Sequence, residues 1–188
     1  MAIELVCFTP QCRISGALPL ADDRLTDMLN AVTRIVVRQG TLEDLDSGRL
    51  QSGDLSVDAS QLVAVVATGS PGLATRRKRT HTYPIRVHLG RYEVAGLLHQ
   101  PAGEPEPPLA GRPAEVLAGR DVLVPLTEAT ISYERRGERI VERHGTILVN
   151  RAIAVWIDPG EIEPDNRPVR FRTTRPRYLK DLTGLPTS

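Results

Sequence analysis

The feature that most constrains this chain is a strand pattern written twice. From Val87 to Ile157 it reads VHLGRYEVAGLLHQ, then a Pro-rich insert, then VLVPLTEATISYERRGERIVERHGTILVNRAIAVWI. Short apolar or alternating runs separated by Gly-containing turns mark β-strands joined by hairpins. An earlier version spans Ile3 to Val66. Ile14-Ser-Gly16-Ala-Leu18 is matched by Val94-Ala-Gly96-Leu-Leu98, and Leu55-Ser-Val-Asp58 by Ile147-Leu-Val-Asn150. Ile35-Val-Val37 is paired in the same way with Val122-Leu-Val124. Self-similarity of this kind signals a tandem duplication. The expectation is an all-β protein of two small β-barrel modules, one short helix and an extended C-terminal tail.

The boundaries follow from the breaks. Residues 1–69 form the first module and 70–82 a basic linker. Residues 83–158 form the second module, interrupted by a Pro-rich loop at 100–113, and 159–188 form the tail. In the first module Ile3–Phe8 and Arg13–Leu20 read as a hairpin turning at Pro10, with Gly16 at a bend. Asp22 or Asp23 is placed to cap a helix from Arg24 to Ala31, whose Leu25, Met28 and Leu29 share one face. Thr33–Leu45 is the next strand, with turns expected at Leu45–Gly48 and Gln51–Gly53. Leu62–Val66 is a continuous apolar run and reads as a buried strand. In the second module Gly90-Arg91 turns the hairpin, and a residual helix is expected at Pro113–Ala118. Arg135-Arg136-Gly137 makes the next turn. The last strand is expected to put Ile153, Val155 and Ile157 on its core face, leaving Trp156 for an interface.

The second copy resembles the Sm/LSm family of small five-stranded, SH3-like barrels. Val87-His-Leu89-Gly-Arg followed by Val94-Ala-Gly96-Leu is similar to that family's first hairpin. Val122-Leu-Val-Pro-Leu-Thr-Glu-Ala129 is similar to its third strand. Gly145-Thr-Ile-Leu-Val-Asn150-Arg-Ala-Ile153 is similar to its closing motif. The resemblance implies barrels that assemble through their edges and often bind RNA. Two departures favour the fold over the RNA function. The Pro-rich insert replaces one RNA-contacting knuckle, and the other reads Asn150-Arg151-Ala152, with Asp58-Ala59-Ser60 as its counterpart in the first copy. A carboxylate there opposes a phosphate.

Composition narrows the classes further. At 40% hydrophobic and 25% charged residues the chain is too apolar for wholesale disorder, and with 4% aromatics its cores must be mainly aliphatic. The formal charge of +1 neither requires nor excludes nucleic acid. Cys7 and Cys12 lie in the first hairpin, where they could face each other across the strands, and free thiols are the expectation. A zinc site would need two more ligands that the chain does not offer, so no metal and no cofactor are expected. His81, His88, His99 and His144 share no spacing that suggests a catalytic or metal site, and catalysis is not expected. The N-terminus lacks a signal-peptide pattern and no run is long enough to span a bilayer, so the chain reads as cytoplasmic.

The leading expectation is a non-catalytic protein–protein assembly or adaptor module, homo-oligomeric, since open strand edges call for partners. The alternative is an RNA-binding protein. Its nucleic-acid or anion contacts would be Arg76, Arg77, Lys78 and Arg79 with Asn150 and Arg151. A cyclic-dinucleotide-binding barrel of the PilZ type ranks below both, because its second motif is not visible. Trp156, Phe171 and Tyr178 are the candidate protein-interface residues.

Overall fold

The computed structural model describes residues 2–19, 24–68, 80–106, 113–117, 119 and 121–159. Among these residues ten strands form one antiparallel sheet: β1 (Ala2–Phe8), β2 (Cys12–Pro19), β3 (Arg34–Asp44), β4 (Leu50–Asp58), β5 (Ala64–Thr68), β6 (Thr80–Leu89), β7 (Tyr92–Pro101), β8 (Leu123–Arg135), β9 (Glu138–Asn150) and β10 (Trp156–Pro159). Helix α1 (Leu25–Ala31) lies between β2 and β3, and a single turn, α2 (Pro113–Val116), between β7 and β8. One 3₁₀ turn, Ala59–Gln61, precedes β5 and another, Arg151–Ile153, precedes β10. Among the described residues no helix is long and apolar enough to cross a membrane.

The strand order, β10-β6-β7-β8-β9-β5-β1-β2-β3-β4, is the same five-strand run used twice. In each run the fifth strand returns to pair with the first, and a 3₁₀ turn separates the fourth strand from the fifth. Both turns are capped alike: Asp58 Oδ1 accepts from the Ser60 N–H and Asn150 Oδ1 from the Ala152 N–H, each at 2.9 Å. The short Asx side chain satisfies a backbone donor that the turn leaves orphaned.

A bulge also recurs. The β2–β3 register shifts between Ser15 and Ala17, and the β7–β8 register between Ala95 and Leu97. Gly16 and Gly96 sit at these shifts because nothing larger fits. A Cβ on Gly16 would meet the Arg38 carbonyl oxygen at 2.8 Å, and one on Gly96 the Thr127 carbonyl oxygen at 3.0 Å. Opposite each glycine a non-glycine residue takes a left-handed conformation, Gln39 at φ 48° and Glu128 at φ 49°. A bulge bends its strand and lets the sheet curl.

Two apolar clusters lie within the sheet, and each draws side chains from all five strands of one run. Helix α1 closes over one of them, burying Leu29 with Leu25 and Met28 alongside. Its N-cap is Arg24, with no side-chain cap; Asp22 and Asp23 lie outside the described residues.

Several sequence expectations are corrected here. Gln51–Gly53 is no turn but part of β4 near its start, held by pairing with β3 from Leu42 to Gly40. The ladders set Leu123 opposite Asn150 as they set Arg34 opposite Asp58. The repeat therefore aligns Leu123 with Arg34 and Leu126 with Val37, two residues off the alignment read from Val122-Leu-Val124. Cys7 pairs with Ile14 and Phe8 with Arg13, so Cys7 and Cys12 do not face each other. Both are free, and burial pushes the Cys7 thiol up to about 12. Val155 is not on the core face. The 3₁₀ turn at Arg151–Ile153 breaks the two-residue alternation, leaving Val155 70% exposed and Ile157 buried.

Replacing Gly96 by Val should destabilise the protein by about 1–3 kcal/mol, because the branched side chain must displace the Ala129 backbone. Urea denaturation of the variant checks this, and an unchanged midpoint would contradict the bulge argument.

Candidate assembly interface

The two runs meet at one seam, where β5 pairs with β9 through Ala64↔Val149 and Val65↔Leu148. Leu62 to Val66 and Ile147 to Asn150 are buried without alternation, because this part of each strand has a core on both faces. Side chains cross the seam in both directions. Phe8 and Leu45 pack into the cluster of the second run, while Leu123 and Leu148 pack into that of the first. Phe8 meets Tyr92 and Tyr133 edge-on, with ring centroids 5.7 and 5.4 Å apart, and the Tyr92 hydroxyl donates to the Thr9 carbonyl at 2.6 Å. A buried phenyl ring in such a trio is worth about 3–5 kcal/mol against Ala.

Polar groups fix the register of the seam. Asn150, 1% exposed, donates through Nδ2 to the Leu62 carbonyl at 2.8 Å, and its backbone N–H donates to the Val63 carbonyl. Asn30 on α1 reaches the other run. Its Oδ1 accepts from the N–H groups of Val122 and Leu123, and its Nδ2 donates to the Leu123 carbonyl. Arg91 pairs with Asp46 at 2.6 Å, and Arg136 donates from its guanidinium to the Gly48 carbonyl and from its backbone to that of Leu45.

Glu142 is the charged centre of the seam. It accepts from the Tyr133 hydroxyl at 2.7 Å, lies 3.2 Å from His144 Nε2, and faces Arg13 of the first run at 3.6 Å. Burial by itself raises its pKa. The His144 hydrogen bond, the Arg13 charge and the Tyr133 hydrogen bond outweigh that and hold it down at about 2.

Superposing the ladders gives a residue-by-residue correspondence between the runs. Val63 and Ala64 correspond to Val155 and Trp156, and Phe8 to His88: the Val63 N–H donates to the Phe8 carbonyl as the Val155 N–H donates to that of His88. Among the described residues the sheet order leaves two strand edges open, β4 at one end and β10 at the other. Val63 and Ala64 are buried at the seam, at 2% and 0% exposure, whereas Val155 and Trp156 stand open at 70% and 47%. The Trp156 indole N–H donates to Asp158, which also lies 2.9 Å from His88 Nε2. These bonds hold Asp158 below the usual carboxylate range.

The candidate residues named from sequence fall in different places. Trp156 is on the open edge. Asn150 is buried with its amide engaged by backbone groups. Arg151 is half-buried and donates to the Leu117 carbonyl at 2.9 Å. Arg76, Arg77, Lys78, Arg79, Phe171 and Tyr178 lie outside the described residues. A shallow depression of about 450 Å³ lined by Glu43, Arg135, Arg136 and Glu138 mixes both charge signs and brings no nucleophile beside a base. Among the described residues no group of His, Cys, Asp and Glu is arranged to hold a metal ion. Phe8, Asn30 and Glu142 were not singled out by sequence reasoning. Each lies on an ordinary strand or helix pattern, and only the contact across the seam distinguishes it.

No family model matches this chain. No solved structure matches it either. A 90-residue stretch, 48% of the chain, is 37% identical to part of the mycoketide-CoA synthase of Mycobacterium tuberculosis, and covers 2% of that protein's length. So small a share of a long synthase carries no activity over to this chain.

Two outcomes are expected. Asn150→Asp removes the donor to Leu62 and buries a charge, and should cost about 2–4 kcal/mol in denaturant unfolding. The folded-state pKa of Glu142 lies below its unfolded value. Its contribution is therefore full above about pH 4.5 and is lost as pH falls toward about 2. Stability measured from pH 7 down to 3 should fall less steeply in Glu142→Gln than in the parent; parallel curves would contradict this.

Proposed function

We propose that this chain is a non-catalytic protein-assembly module, built of two small Sm-like, SH3-like barrels, that takes a partner polypeptide on the open edge of β10. The observation that carries the reading is the contrast between equivalent positions: Val63 and Ala64 are covered by a neighbouring strand, whereas among the described residues no strand covers Val155 and Trp156. The barrel reading is supported by the two apolar clusters, each lined by all five strands of a run, and by the bulges that bend β3 and β8 opposite Gly16 and Gly96. An open edge supplies unpaired backbone groups to an incoming strand, and a half-exposed Trp beside it supplies an apolar anchor. A second copy seated on the same edge, strand against strand, is the homo-oligomeric form of this proposal, and the cytoplasm its proposed setting.

The test is affinity capture by the full-length tagged protein from its own cells, with nuclease treatment, beside a Val155→Asp/Trp156→Ala variant. The proposal expects polypeptides that survive nuclease and are lost from the variant. Capture that is unchanged by the variant, or that disappears with nuclease and carries 260 nm absorbance, would overturn it. The latter result would favour RNA binding.

A further inference from the structure

The same correspondence sets out how the seam would recur between molecules. It pairs the fifth strand of one run with the fourth strand of the other, and among the described residues one strand of each kind remains open: β10 and β4. Repeating the internal register, Ala64↔Val149 and Val65↔Leu148, would set Trp156 of one chain against Val57 of the next and Ile157 against Ser56.

The side chains that make the internal seam do not recur on β4. Leu148, which packs into the opposite core, corresponds to Ser56, which is exposed. Leu123, which does the same from β8, corresponds to Arg34, also exposed. Asn150 donates to the Leu62 carbonyl; its counterpart Asp58 has no donor to offer. Hydrogen bonds from the Ser60 hydroxyl at 2.6 Å and its N–H at 2.9 Å keep Asp58 a carboxylate. In a repeated seam that carboxylate would face the Ala154 carbonyl, acceptor against acceptor, and Arg34 would be driven toward Ala154 and Ile157. Leu50, the exposed apolar residue of β4, lies at the other end of the strand. Charged and polar side chains placed on a strand edge are a recognised bar to edge-to-edge growth.

We propose that Arg34, Ser56 and Asp58 close the β4 edge to the β10 strand of a second copy, so that the seam made once within the chain is not repeated between chains. The correspondence between the runs carries this inference, independently of what occupies β10. Relieving the three positions removes an acceptor clash and a guanidinium that a repeated seam would bury, and supplies the two leucines that the internal seam uses. The opened β4 then accepts β10 head to tail, a contact that propagates from chain to chain.

The experiment compares the full chain with an Arg34→Leu/Ser56→Leu/Asp58→Asn variant. Sedimentation is measured over a wide concentration range. Disulfide trapping follows in a Cys12→Ser background carrying Val57→Cys and Trp156→Cys, two positions at opposite ends of the sheet. The parent should not grow beyond a dimer at any concentration, the size that β10 against β10 allows, and should give little linkage between the two introduced thiols of different chains. The variant should grow in mass with concentration, and its interchain linkage should rise at least about tenfold. A parent whose introduced thiols already link as fully as the variant's overturns the proposal. So does a variant with the parent's circular dichroism that neither grows nor links. Growth without linkage of positions 57 and 156 counts against it equally, as unspecific aggregation.

Discussion

The structure depends on the ladder between β5 and β9. That pairing turns two five-strand runs into one ten-strand sheet and removes from water two strand edges that would otherwise be open. Because each of these strands has a core on both faces, neither run has a complete core without the other. Phe8 and Leu45 belong by chain position to the first run and by packing to the second, while Leu123 and Leu148 make the reverse exchange. The hydrophobic effect therefore acts across the seam as well as within each run.

Around that apolar exchange the polar groups give specificity. Asn30 and Asn150 satisfy backbone groups across the seam with hydrogen bonds that work at one register. A slip of one residue would leave buried N–H and C=O groups without partners. Glu142 brings Tyr133, His144 and Arg13 together at the border, and its depressed pKa records how well its charge is compensated.

The two runs have diverged where they meet solvent and stayed alike where geometry demands it. The glycine at the bulge, the left-handed residue opposite it and the Asx cap on the 3₁₀ turn recur in both. The positions at and beside the seam do not: His88 stands where Phe8 does, Asp158 where Val66 does, Ser56 where Leu148 does, and Arg34 where Leu123 does. With one edge of each run used internally, the two edges left over carry different chemistry. β10 presents Val155 and Trp156; β4 presents mainly polar groups near its end.

By itself the sequence determined the local elements: the hairpin around Pro10, the Gly90-Arg91 turn, helix α1 and the unbroken burial of Leu62 to Val66. These are legible because they depend on backbone preference and on a period of two or of 3.6 residues. The repeat was legible for the same reason, through Gly16 and Gly96, although its register at Arg34 and Leu123 needed the ladders. Only the tertiary structure decided which edges pair, that Phe8 serves the other run's core, that Asn150 is buried and that Val155 is exposed. Those outcomes depend on contacts between residues far apart in the chain, and on a 3₁₀ turn that resets the alternation of faces. No local pattern records either one.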